Sequence, residues 1–211
     1  RLAEWARFNG MGWAVDELEQ VQYQLDPPKV GGSLAGGIPK VSTERATPSR
    51  LAGPAAIRPQ VQPPLAGEGV WQTLVRLHGQ PAIRAAFLRP DAAHTIYLVG
   101  VAWRDQKLVK RVLHPGFSGP GGSGWSQPLY VPSSRRDSLL ATFNSGFTMQ
   151  DANGGYWQDG QTASPLRQGA ASMVLYKDGQ VKVGKWNAAA PGPDVAAGRK
   201  NLGMLVENGK S

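Results

Sequence analysis

From Gly69 onward the chain is a succession of short apolar segments separated by turn formers, and that punctuation narrows the possible folds sharply. Residues 71–77 and 83–88 flank His78-Gly79-Gln80-Pro81. Residues 95–103, 107–113, 139–143, 172–176, 180–184 and 202–206 follow, the last running into Asn208-Gly209. Segments this short, bounded by Gly, Pro, Asn and Asp, suit strands. Asp178-Gly179 is the clearest local signal, because Asp-Gly suits the primed turns of tight hairpins. Only short helices are expected in this region, one of them near residues 133–140. The fold class that follows is α+β, with a strand-dominated mixed sheet core and a few short helices.

Two different segments precede this core. Residues 13–25 carry apolar side chains at Ala14, Leu18, Val21 and Leu25, a spacing that marks one helical face, and Asp26-Pro27-Pro28 stops the pattern. Asp16, Glu17 and Glu19 in its early turns suit the helix dipole. An amphipathic helix this short is marginal alone, so it is expected to dock on something. Residues 27–68 are rich in Pro and Gly, poor in aromatics, and read as an extended linker. The expected organisation is a helical segment at 1–26, a linker at 27–68 and a domain at 69–211.

Composition excludes several classes. There is no cysteine, which removes disulfides, thiolate metal sites and cysteine nucleophiles. No apolar run reaches the roughly 18 residues of a membrane helix. The residues hold no signal peptide, and the chain begins at Arg1, leaving room for an export signal or anchor upstream. A net charge of +8 favours anionic partners. The basic residues are dispersed, with small groups only at Lys107, Lys110 and Arg111 and at Arg135 and Arg136, so the stripe of a nucleic-acid module is missing. Most of the seven Trp are expected in the core, although an exposed one can stack on a sugar.

The segment with the most chemistry is Ala141-Thr142-Phe143-Asn144-Ser145-Gly146-Phe147, followed by Asp151-Ala152-Asn153-Gly154-Gly155-Tyr156. Residues 139–143 read as a buried strand that breaks into a corner at Asn144 and Gly146, residues able to adopt unusual backbone angles. Such a corner presents backbone amides and the Asn144 amide at a sheet edge, or else it only turns the chain. Gly116 to Gly124 form a glycine-rich loop whose N–H groups could cradle phosphate, though Pro120 interrupts it and no helix follows. His114 opens that loop and could face a phosphate. His78 and His94 read as surface or satisfied histidines. Ser145 lacks a G-x-S-x-G elbow, and Gly209-Lys210-Ser211 lacks the earlier glycine of a P-loop, where Met204 stands. No metal site and no cofactor are expected.

Phe143-Asn144-Ser145-Gly146-Phe147 resembles the Asn-Gly-Gly-Phe-Phe corner of the phosphodiester glycosidase family, the bacterial relatives of the mannose 6-phosphate uncovering enzyme. The similarity continues through Asp159-Gly160, through Gly169-Ala170-Ala171-Ser172-Met173-Val174-Leu175-Tyr176, and through the Asp178-Gly179 hairpin with its return strand at 180–186. Gly69-Val70-Trp71 and Ala102-Trp103-Arg104-Asp105-Gln106-Lys107-Leu108-Val109 look like the actinobacterial branch, so the resemblance covers about residues 67–211. It departs at Ser145, where the family commonly has glycine. Members of the family continue beyond this point with further strands and a second glycine-rich, Asp-containing segment, so the domain at 69–211 is expected to be incomplete at its C-terminus.

The resemblance implies a hydrolase that releases a sugar from a sugar-1-phosphodiester in a cell-envelope or exopolysaccharide glycan, working outside the cell or at the envelope. Glycosidic cleavage usually needs two carboxylates. Asp151, four residues after Phe147, is the better candidate; Asp159 suits an Asx turn, and Asp137 lies ahead of the corner. Asn144 joins Asp151 as a catalytic candidate. Gly146, Phe147, His114 and Arg167 are candidates for binding substrate, Arg167 because its planar fork matches phosphate oxygens. The rival expectation is a non-catalytic module that binds anionic envelope polysaccharide from a Pro-rich stalk.

Overall fold

The computed structural model describes residues 6, 9–41, 53–117, 119–144, 146, 148–149 and 152–210. The fold is strand-dominated α+β, with every strand pairing among these residues antiparallel. The chain divides into two compact units, Arg1–Arg104 and Asp105–Ser211, so the division falls inside the 69–211 stretch expected as one domain.

In the first unit, α1 (Gly12–Leu25) is followed by a three-stranded sheet of β1 (Gln72–Leu77), β2 (Gln80–Leu88) and β3 (Val99–Arg104), with β2 central. His78 and Gly79 both have positive φ, 49° and 74°, the signature of a primed two-residue turn, and this sets the β1–β2 register. The core of the unit is mostly the small and branched side chains of β2: Ala82, Ile83, Ala85, Ala86 and Leu88.

The Pro-rich segment is extended, as its composition implies, but its described parts do not run free. The Gln72 amide donates to Pro39 O and its oxygen accepts from Val41 N–H; Trp71 Nε1 donates to Ala55 O, and Ile57 N–H to Gly69 O. Prolines cannot complete a ladder, yet their carbonyls and the amides between them still take side-chain partners. The expected docking of α1 is also corrected. Val15 is buried, whereas Leu18, Val21 and Leu25 on the expected face are exposed, together with Trp13 and Tyr23.

The second unit holds β4 (Gly155–Gln158), β5 (Gln161–Ser164), β6 (Ala171–Tyr176), β7 (Val181–Lys185) and β8 (Val195–Lys200) in the order β5-β4-β8-β6-β7. Side chains alternate across the sheet, so each face has its own cluster. Leu113, Tyr156, Leu175 and Ala197 pack with Trp125 and Met149 on one face; Leu166, Val174, Trp186 and Val195 pack with Trp157 on the other. The Asp178-Gly179 hairpin forms, but only Gly179 has positive φ, and Tyr176 N–H bonds Gln180 O across a three-residue loop. That is the type I turn with a glycine bulge, not a primed turn.

Three expected strands are absent. Residues 107–113 and 202–206 are irregular. Residues 139–143 are neither a strand nor buried, with Leu139 43 % and Phe143 76 % exposed. Ala141 and Thr142 bring too little apolar area to hold that run in a core. A 3-10 turn, Ser133–Ser138, stands where the short helix was expected.

Candidate functional site

The site grows from the C-terminal end of β8, the central strand of its sheet. Arg199 and Lys200 lie in succession there and point to opposite faces, and both are nearly inaccessible. Asn201 follows. The loop between Asn144 and Gly154 contacts all three. Gly146 has φ of 125° and lies so close to Asn201 that any Cβ would overlap Asn201 Nδ2, so glycine is required on both counts. Met149 takes Arg199 Nη1 on its sulfur. Lys200 Nζ donates to Ala152 O at 3.0 Å and to Asn153 O at 2.7 Å.

Asn153 then links a third cation. Its backbone sits in the left-handed region at φ 45°, and its Oδ1 accepts from Arg167 Nη2 at 2.8 Å. Asn153 thus holds Lys200 through its main chain and Arg167 through its side chain. Burial pushes the Lys200 amine below the usual lysine range, and the charges of Arg167 and Arg199 push it further down. Burial likewise lowers Arg199, with Tyr156 opposing the shift. Tyr156, the cross-strand neighbour of Arg199, is 1 % exposed, and burial raises its phenol well above the ordinary value. Among the described residues the Tyr156 hydroxyl and Asn201 Oδ1 are buried without a hydrogen-bond partner.

The glycine-rich loop forms a wall of this site. A Cβ at Gly119 would stand 3.6 Å from Met149 Cγ, and Trp125 Nε1 donates to Gly121 O while its ring meets Tyr156 edge-on. His114 is placed differently from expectation. Its Nδ1 donates to Pro128 O at 2.8 Å, tying the start of the loop to residue 128, and no contact among the described residues joins it to the cations.

Of the sequence candidates, Gly146 and Arg167 are brought to the β8 end; Asn144 is exposed in the adjoining loop. Asp151 and Phe147 lie outside the described residues. Asp159 has φ of 44° in the β4–β5 turn and accepts from Ser126 Oγ. It stands at the far end of β4 from Asn153, about 13 Å along four residues of strand. An open cleft of about 350 Å³ lined by Trp157, Asp159, Lys177 and Pro193 lies at that far end too. Among the described residues no group of three His, Asp or Glu is arranged to hold a metal ion, and no helix is long and apolar enough to cross a membrane.

Sequence reasoning missed Arg199, Lys200, Asn201 and Asn153. The signal available was the polar run Arg199-Lys200-Asn201 directly after the small residues 196–198, which reads as a strand end only once Gly198 is understood as a packing residue. Comparison with family models, curated proteins and solved structures finds no match to this chain.

Proposed function

We propose that this chain belongs to a hydrolase that cleaves a sugar-1-phosphodiester in a cell-envelope or exopolysaccharide glycan, acting outside the cell or at the envelope. The observation that carries the reading is the seating of the Asn144–Gly154 loop on the β8 end, where Asn153 joins Lys200 to Arg167 and Met149 meets Arg199 on the opposite face. This is the loop that bears the resemblance to phosphodiester glycosidases. Phosphate is already a good leaving group when its charge is matched, so cationic donors matter more than a strong general acid. In this reading Arg167 and Lys200 hold the phosphate, the Asn144 amide holds the sugar or its leaving oxygen, and Asp151 supplies the carboxylate.

Incubating the protein with a panel of sugar-1-phosphodiesters and measuring free sugar tests the proposal. Release that is lost in Arg167→Gln (R167Q) supports it. Retention on anionic polysaccharide, weakened by salt and without any release, supports the rival binding module instead.

A further inference from the structure

α1 is covered on one side only. Val15 is buried, whereas Leu18, Val21 and Leu25 are 69 %, 43 % and 81 % exposed. With Met11 and Ala14 these three make one stripe, spaced 3, 4, 3 and 4 along the chain. The stripe is narrow. Its flanks are Glu17 and Gln24 on one side and Val15 and Gln22 on the other, and Val15 lies roughly 90° round the helix from its middle. A helix that packs on a globular core carries a wider apolar face that takes in one flank. A stripe confined to alternating spacings of three and four is the seam by which one helix packs along another.

We propose that α1 is a self-association element, in which this stripe pairs with the same stripe of a second copy of the chain, the two helices running antiparallel about a two-fold axis. Side-chain size chooses the orientation. Parallel helices would stack like on like, with Ala14 on Ala14 underfilled and Leu25 on Leu25 overfilled. Antiparallel helices set Leu25 against Ala14 and Leu18 against Val21, so every layer holds one larger and one smaller side chain and fills evenly.

Charge chooses the occupant. Residues 12–26 contain Asp16, Glu17, Glu19 and Asp26 and no Lys or Arg, the reverse of the basic polar face that lays a helix on an anionic bilayer. Asp16 and Glu19 fall on the far side of the helix from the stripe. In the antiparallel pair Glu17 lies beside Gln24 of the second copy, so no like charges meet at the seam. Asp26 stands at the carboxyl end of α1, where a negative charge opposes the helix dipole, while the amino end has no side-chain cap. Antiparallel pairing brings each Asp26 level with the uncapped start of the other helix, where its charge is favourable.

The seam is short, so a reversible monomer–dimer equilibrium is expected for the whole chain, followed by sedimentation equilibrium between about 10 μM and about 1 mM. Leu18→Glu should weaken association roughly tenfold or more, and Tyr23→Ser, on the opposite side of α1, should leave it within about twofold. Added salt should not weaken it, because the seam is uncharged and the helices share one sign. The chain has no cysteine, so orientation can be read by cross-linking. Leu18→Cys and Val21→Cys proteins mixed with diamide should form the 18–21 link in preference to either self-link, and this readout stands even if Leu18→Glu disturbs the helix. A chain that stays monomeric throughout that range, or a dimer indifferent to Leu18→Glu, would overturn the proposal. Self-links outnumbering the mixed link would overturn antiparallel pairing. A dimer that salt weakens would place the acidic helix on a basic surface of the second copy, and that too would overturn the seam.

Discussion

Arg89 and Lys200 are both buried cations at the end of a strand, one in each unit, and their surroundings are opposite. Arg89 is closed off. Its Nη2 meets Glu68 Oε2 at 2.8 Å and the Pro63 carbonyl at 2.8 Å, while Glu68 also accepts from Leu65 and Arg89 N–H groups. Burial works against the Glu68 carboxylate, yet the Arg89 and Leu65 bonds outweigh it and hold its pKa below the ordinary value. Lys200 has two carbonyls and the repulsion of Arg167 and Arg199, so its pKa is lowered because its charged form is the one disfavoured. The same direction of shift thus means a satisfied charge in one unit and a strained one in the other. A charge paired with an opposite charge fixes structure; Lys200, held by carbonyls beside two other cations, is the one the proposed function assigns to phosphate.

The largest expected effect tests the closed side. Arg89→Met leaves the Glu68 carboxylate buried and unpaired, which should cost about 3–5 kcal/mol in the first unit. Adding Glu68→Gln should recover much of that loss. Lys200→Met removes strain along with two hydrogen bonds, so its cost should stay below roughly 1.5 kcal/mol. Hydrogen exchange read separately at β2 and β8 amides resolves the two units without assuming a single transition. Equal costs for Arg89→Met and Lys200→Met would erase the contrast.

Next in size is the exposed Asn144 of the adjoining loop. Asn144→Ala should lower activity on a sugar-1-phosphodiester on the order of 10–1000-fold without unfolding the protein, comparable to losing one preorganised donor. Asn144→Gly separates the amide from the turn, since glycine reaches the same backbone angles. Full activity in Asn144→Gly would remove the amide from the site.

The two sides also differ in what the sequence displayed. Hairpins β1–β2 and β6–β7 were legible because a turn dipeptide and two apolar segments announce each of them. β8 was not, although it is the centre of its sheet. Its residues are Val195, Ala196, Ala197, Gly198, Arg199 and Lys200, small because neighbours crowd in: a Cβ at Gly198 would stand 2.9 Å from Leu166 Cδ1. A strand whose packing partners supply the bulk shows no apolar alternation of its own. The apolar run at 139–143 gave the converse error, since short hydrophobic stretches do not reveal whether anything covers them. Arg167 could be nominated by chemistry alone. Arg199 and Lys200 could not, because a buried cation is recognisable only once the strand that buries it is known.

A smaller effect should come from inorganic phosphate. If the strained cations take an anion, phosphate at about ten times its Kd should stabilise the second unit by about 1.4 kcal/mol and leave the first unchanged. Slower exchange at β8 amides, with β2 amides unaffected, is the expected result; R167Q should abolish it. Equal slowing in both units would mean a general salt effect.

The smallest effect is in pH, where Glu68 and Lys200 should pull stability in different windows. Glu68 has a depressed folded pKa, so its contribution is present above its unfolded value near 4.5 and is lost as pH falls through the folded value. Lys200 is a base with a depressed folded pKa, so between that value and 10.5 the unfolded chain holds more protons. Stability of the second unit should therefore rise with pH in that window. Tyr156 opposes this only above pH 10, because its raised folded pKa gives a contribution complete below 10.0 and lost above it. Unfolding followed between pH 8 and 10 isolates the lysine from the phenol. Lys200→Met should flatten the rise, Arg89→Met should leave it in place, and a rise that persists in Lys200→Met would assign the strain to another group.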